Sequence, residues 1–141
     1  MTSLFVTIVA IVLFGIISLL SLTYLDVDNA KATTQAPVVV LAMGNMLEAV
    51  SMYKSATESS PASLSDLNSV IDTPALPNMP GATWIISGGR ACMALPNSSF
   101  NTDLLNAAVD SMAASGLNVV FTTSTCGSVT LSSQSAIAVA I

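Results

Sequence analysis

The chain opens on MTSLFVTIVAIVLFGIISLLSLTYLD, and its first charged side chain is Asp26. Residues 4 to 22 are mostly Leu, Ile, Val and Phe, broken by one Gly, one Ala and a few Ser and Thr. About 20 helical residues rise ~30 Å, the thickness of a bilayer's hydrocarbon core. A helix apolar on every face suits lipid far better than the core of a small soluble domain. Tyr24 then falls where an interfacial aromatic belongs. A cleavable secretion signal would want a basic start, an apolar run of about 7–15 residues and a small-x-small site. MTSL has no Lys or Arg, the run is too long, and AKA at Ala30 to Ala32 lies far beyond it. Residues 1–25 are therefore expected to be a retained transmembrane helix in the lipid bilayer.

Orientation is weakly coded, because the positive-inside preference counts Lys and Arg and few are nearby. The very short N-terminal tail and the cysteine pair favour a cytoplasmic N-terminus. The C-terminal domain is then expected in the periplasm, making the chain a single-pass protein of a bacterial inner membrane.

Composition narrows the function classes. Only 8% of residues are charged, against roughly 25% in ordinary soluble domains. Net charge is −5, and the basic residues are Lys31, Lys54 and Arg90. No basic stripe exists for nucleic acid, nor a polybasic segment for anionic lipid. Histidine is absent, so the usual general base and the commonest metal ligand are missing. Two cysteines cannot complete a structural zinc site alone. Cys92 and Cys126 instead read as one structural disulfide in an oxidising compartment, closing a loop of thirty-odd residues and stabilising by about 3–4 kcal/mol.

Beyond the anchor, residues 26–36 (DVDNAKATTQA) read as a polar linker and 37–141 as one domain. Pro37 suits the first turn of a helix, and Val39, Met43, Met46, Val50 and Tyr53 then form an apolar stripe. A continuation of the membrane helix with a kink at Pro37 is the other option. Ser63 and Asp66 have capping-box spacing. DTPALPNMPGAT is an irregular connection, and Gly88-Gly89 marks a tight hairpin between TWIIS and RACMAL. In that hairpin Trp84, Ile86, Cys92 and Ala94 are expected on one face, with Arg90 outward. A second helix follows, capped by Asn101, with Asp103 in its first turn, a Phe100–Leu105 staple and Gly116 closing it. Its inner stripe is Leu105, Ala108, Val109 and Met112. LNVVFTTS is a strand, TCGS a turn, and VTLSS with AIAVAI one or two closing strands. The fold class is α+β: an αββαββ domain with both helices on one face of an antiparallel sheet, a circular permutation of the ferredoxin-like plan.

No catalytic signature emerges. Gly88-Gly89 lacks the lysine and spacing of a phosphate-binding loop. No GxSxG surrounds a serine, and no histidine completes a triad. Ser51 and Lys54 have Ser-x-x-Lys spacing without the companion Ser-Asp-Asn and Lys-Thr-Gly motifs, and read as helix surface. Asp66 and Asp72 read as capping or solvated groups. No catalytic, cofactor-binding or metal-binding residue is assigned, no cofactor and no small-molecule substrate is expected, and the chain is expected not to be an enzyme.

The N-terminal MTSLFVTIVAIVLFGIISLL, the helix end AVSMYKSA, the loop SPASLSDL and the hairpin WIISGGRACMAL together resemble the PilM family encoded with conjugative thin (type IVb) pili. The resemblance covers the whole chain in size and layout. It implies a non-enzymatic bitopic inner-membrane protein that assists pilus assembly. Its partners would be other pilus assembly proteins or pilins, with a homo-oligomer as a further option. The layout is also similar to inner-membrane platform components of type II secretion systems, an analogy of topology only. The alternative is a pilin-like filament subunit whose apolar helix forms the packed spine. Pilins, however, carry a basic leader and usually a Glu five residues after cleavage, where this chain has Phe5. If the anchor is retained, the protein stays in the membrane fraction after carbonate washing at its full translated mass. A soluble product beginning at Thr33 would show that AKA is cleaved.

Overall fold

The computed structural model describes residues 27–141. The expected anchor, residues 1–25, lies outside the described residues. Helix α1 (Val27–Thr57) runs for 31 residues, about 46 Å at 1.5 Å per residue. Residues 27–36, expected to be a polar linker, are helical and continuous with the rest of α1, so among the described residues no irregular connector precedes Pro37. Pro37 sits inside α1 and gives the helix ladder no N–H, which ordinarily costs ~3 kcal/mol. Burial on both sides of it offsets that cost. Ala32, Ala36, Val39, Met43, Met46 and Val50 recur at steps of four and three and are all buried in the core. From Lys31 to Thr57 the helix is long and apolar enough to cross a membrane by length and composition. Its inner stripe is nevertheless occupied by the domain's own core.

Thr57 ends α1, and Glu58 turns the chain at φ 58° while its N–H donates to the Lys54 carbonyl at 2.8 Å. The short α2 (Leu64–Asn68) follows. Ser63 caps it, its hydroxyl accepting from the Asp66 N–H at 3.1 Å, and the Asp66 carboxylate accepts from the Ala62 N–H at 3.2 Å. This is the reciprocal logic of a capping box reached one residue early. Leu67 fills the core beneath.

Strands β1 (Thr83–Ser87) and β2 (Arg90–Pro96) form the expected hairpin. Gly88 and Gly89 have φ of 56° and 72°, the two positive values that a type I′ turn requires. That two-residue turn pairs Ser87 with Arg90, so Trp84 stands opposite Met93 and Ile86 opposite Ala91. The facing assignment from sequence is therefore corrected. Trp84 and Ile86 share a face with Ala91, Met93 and Leu95, whereas Cys92 and Ala94 point the other way, with Ile85. The Trp84 indole N–H donates to the Pro74 carbonyl at 2.9 Å and ties the irregular connection down over β1.

Helix α3 (Ser99–Ala114) starts three residues earlier than a cap at Asn101 implies. Ser98 is its cap, accepting from the Asn101 N–H at 3.0 Å, while the Asn101 amide donates to the Pro96 carbonyl at 2.8 Å. This shift takes Asp103 out of the first turn and breaks the spacing a Phe100–Leu105 staple needs. Leu104, Leu105, Ala108 and Met112 are buried. At the far end Gly116 adopts φ 81°, its N–H donating to Ala113 and that of Leu117 to Met112, the paired bonds of a Schellman motif.

Strand β3 (Val119–Thr122), a small hairpin of β4 (Thr125–Cys126) and β5 (Val129–Thr130), and β6 (Gln134–Ala140) complete the chain. The four-stranded sheet has order β1-β2-β6-β3, every neighbouring pair antiparallel. The fold is thus α+β: a long apolar helix, then a small antiparallel sheet with a helix packed on it. Both α1 and α3 contribute to the core on the face that carries Met93, Ile137 and Phe121. Truncating Met93 or Leu105 to Ala should each lower unfolding free energy by about 2–5 kcal/mol in urea titrations. The control Val70→Ala, at a position 45% exposed, should change it by no more than about 0.5 kcal/mol.

Candidate functional site: the tethered hairpin and the open sheet edge

The sheet face away from the helices is built from small residues. Ala94, Ala136 and Ala138 lie beside Cys92 and Ile85, and over them sit Cys126 and Leu131 from the β4–β5 segment. Short side chains bring that segment close to the sheet. Cys92 and Cys126 form a disulfide with Cα atoms 6.2 Å apart. The expected bridge is therefore present, and its role is specific: it fastens the small hairpin across the back of β2.

Two glycines set how closely the hairpin docks. Gly127, with φ 59°, lies so near Ser87 that a Cβ there would collide with the Ser87 carbonyl. Gly88 faces it, and a Cβ on Gly88 would stand 3.1 Å from the Gly127 Cα. The two turns thus meet backbone to backbone. The Ser87 and Ser128 hydroxyls are 2.6 Å apart, and the Ser128 N–H donates to the Ser87 hydroxyl at 3.3 Å. Both serines thereby satisfy polar groups that the contact would otherwise strand, a requirement of burial.

Beside the hairpin lies an open groove of about 260 Å³ lined by Arg90, Val120, Phe121, Thr122, Thr125 and Gly127. It runs along β3, which pairs with β6 on one side and stands at the edge of the sheet on the other. Val120 is 44% exposed there. An edge strand keeps a row of backbone N–H and C=O groups able to pair with an added strand, and Arg90 of β2, across β6 from β3, sets a cation in the groove. A second, larger cleft of about 420 Å³ separates the start of α1 from α3, lined by Thr33, Asp103, Asn106, Ala107 and Asp110. Among the described residues no group of three or more His, Cys, Asp or Glu side chains comes together in a metal-holding cluster.

The other residues weighed from sequence are scattered. Ser51 and Lys54 are exposed on α1, and the Ser51 carbonyl accepts from the Ser55 hydroxyl at 3.0 Å. Asp66 is a capping residue and Asp72 is exposed. Sequence reasoning missed Gly127, Ser128 and Leu131 as the parts that dock the hairpin. The signal was present in TCGSVT, where Gly-Ser between β-prone residues has the form of a two-residue hairpin turn.

Replacing both cysteines, Cys92→Ala with Cys126→Ala, should lower unfolding free energy by about 3–4 kcal/mol in the loop-entropy account. Gly127→Ala should destabilise by about 1–3 kcal/mol with the disulfide still formed, because strain and collision act independently of the bridge. Chemical denaturation with and without reductant separates the two effects. Comparison with protein-family models, with curated proteins and with solved structures gave no match for the chain.

Proposed function

We propose that the protein is a non-enzymatic, single-pass inner-membrane component that assists assembly of a type IVb-like pilus through protein contacts of its periplasmic domain. The observation that carries this reading is the arrangement of α1 and α3 on one face of a sheet ordered β1-β2-β6-β3. With α2 and the β4–β5 hairpin taken as additions, each helix precedes a strand pair whose second member, β2 or β6, lies at the sheet centre. That order supports the permuted ferredoxin-like plan, and with it the analogy to platform proteins of secretion and pilus machines. The Cys92–Cys126 disulfide supports an oxidising compartment such as the periplasm. The edge of β3 with the Arg90 groove is the surface best suited to capturing an extended segment of an assembly protein or pilin.

One observation favours the second reading, a pilin-like filament subunit. Helix α1 is unbroken through the described residues from Val27 to Thr57, so the sequence that follows the apolar N-terminal run is helical, as a filament spine would want. Fractionation tells the two apart. An assembly component is required for piliation but stays with the membrane and is scarce in sheared filaments. Recovery as a stoichiometric component of purified pili would refute the assembly reading and establish the filament one.

A further inference from the structure

Besides its buried stripe, helix α1 carries a second line of exposed residues at heptad spacing, of which Val38, Leu41 and Met52 are apolar. The inner stripe occupies positions 32, 36, 39, 43, 46 and 50. Displaced from it by two residues, about 200° around the helix, runs an outer stripe: Thr34, Val38, Leu41, Asn45, Glu48 and Met52. All six are exposed, with Val38 at 48%, Leu41 at 65% and Met52 at 53%. Their steps of four and three are the a/d spacing of a heptad, with Val38, Asn45 and Met52 at a and Leu41 at d. We propose that this outer stripe is the contact with a second copy of the same chain, the two α1 helices packing in parallel as a short two-stranded coiled coil.

The residue types argue for that occupant. A β-branched residue at a with Leu at d favours two strands, and a single Asn at a pairs with its own counterpart and sets the register. A contact around a two-fold axis makes Asn45 meet Asn45. Gly44 lies in the middle of an exposed helix face, where a Cβ would meet nothing within 4 Å. An exposed helical Gly costs roughly 1 kcal/mol relative to Ala. Beside the seam its missing side chain lets a second backbone approach closely. No charged residue occurs between Lys31 and Glu48. At d, Glu48 would face its own copy and repel it, so the seam weakens there and its strongest part is at positions 34–45.

A seam of about three turns is too short to hold two soluble domains together on its own. The remaining constraint comes from the chain outside the described residues. That segment, with its bilayer-length apolar run, joins α1 at its N-terminal end. Two copies anchored in one membrane are forced parallel and held at high local concentration. The inference rests on the anchored reading for this parallel arrangement alone.

The test uses the full-length chain in native membranes. Single cysteines are placed at Val38→Cys and Leu41→Cys on the seam, and at Gln35→Cys, which is exposed but roughly 100° away. After mild oxidation, non-reducing gels should show a two-copy band for the seam variants and little or none for Gln35→Cys. Adding Leu41→Lys to the Val38→Cys variant should abolish the band while the Cys92–Cys126 peptide pair stays linked. The inference is overturned by equal crosslinking at Gln35→Cys, by a band that survives Leu41→Lys, by ladders beyond two copies, or by adducts to a different protein. Carbonate extraction of the same samples reads the anchor separately. Release of the protein would remove the anchored reading, while the pattern of crosslinks still judges the seam.

Discussion

Strand β2 is enclosed on both faces, and the placement of every other element follows from how the two sides are covered. Ala91, Met93 and Leu95 on one side meet the stripes of α1 and α3. Cys92 and Ala94 on the other meet Cys126 and Leu131. Strand β6, paired with β2 along its whole length, shares this environment. Its Ile137 and Val139 face the helices, and its Ala136 and Ala138 face the hairpin. A strand buried on both faces loses the simple alternation of a half-solvated one, which is why RACMAL and SAIAVA are nearly uninterrupted apolar runs.

The two coverings differ in kind. On the helix face large side chains interdigitate, and the area they remove from water supplies most of the folding energy. On the back face the residues are mostly small, and little apolar area is available. A hairpin of two-residue strands cannot be stable alone. Here it is held by a covalent bridge, by the glycine contact between the two turns, and by the Ser87–Ser128 pair. The disulfide therefore acts where hydrophobic burial is weakest. The same cover stops short of β3, leaving Val120 exposed and the groove beside Arg90 open.

Helix α1 has to satisfy two environments. Its inner face closes the domain core, and its N-terminal end receives the chain from a segment of membrane length. The apolar outer residues Val38 and Leu41 contribute nothing to the core and expose hydrophobic surface near that end. Exposed apolar residues at heptad spacing on a long helix carry a cost in solubility that an isolated domain has no reason to bear. A second helix packed on that face, as proposed above, would remove it.

Much of this organisation was legible in the sequence, because it rests on local rules. Step-three-and-four spacing located the inner stripe of α1. Gly88-Gly89 specified a turn that only positive φ can make, Ser63 and Asp66 specified a cap, and Gly116 a helix end. The cysteine pair pointed to a bridge. What sequence misjudged depended on contacts between distant residues. Helical structure through residues 27–36 and across Pro37 is sustained by the burial of Ala32, Ala36 and Val39, which outweighs a polar composition and a helix breaker. The hairpin face of Cys92 was misread against the register that the two-residue turn imposes, which sets Cys92 opposite Ile85; with both faces of the sheet covered, the apolar pattern did not mark the slip. The cap of α3 moved from Asn101 to Ser98 because two polar residues three positions apart are both good caps, and the Asn101 side chain is instead engaged with the Pro96 carbonyl. The chain by itself determined which segments become helix, turn and strand. Only the tertiary structure decided which face of each strand meets the helices and which meets the β4–β5 hairpin, because that depends on what the rest of the chain places against it.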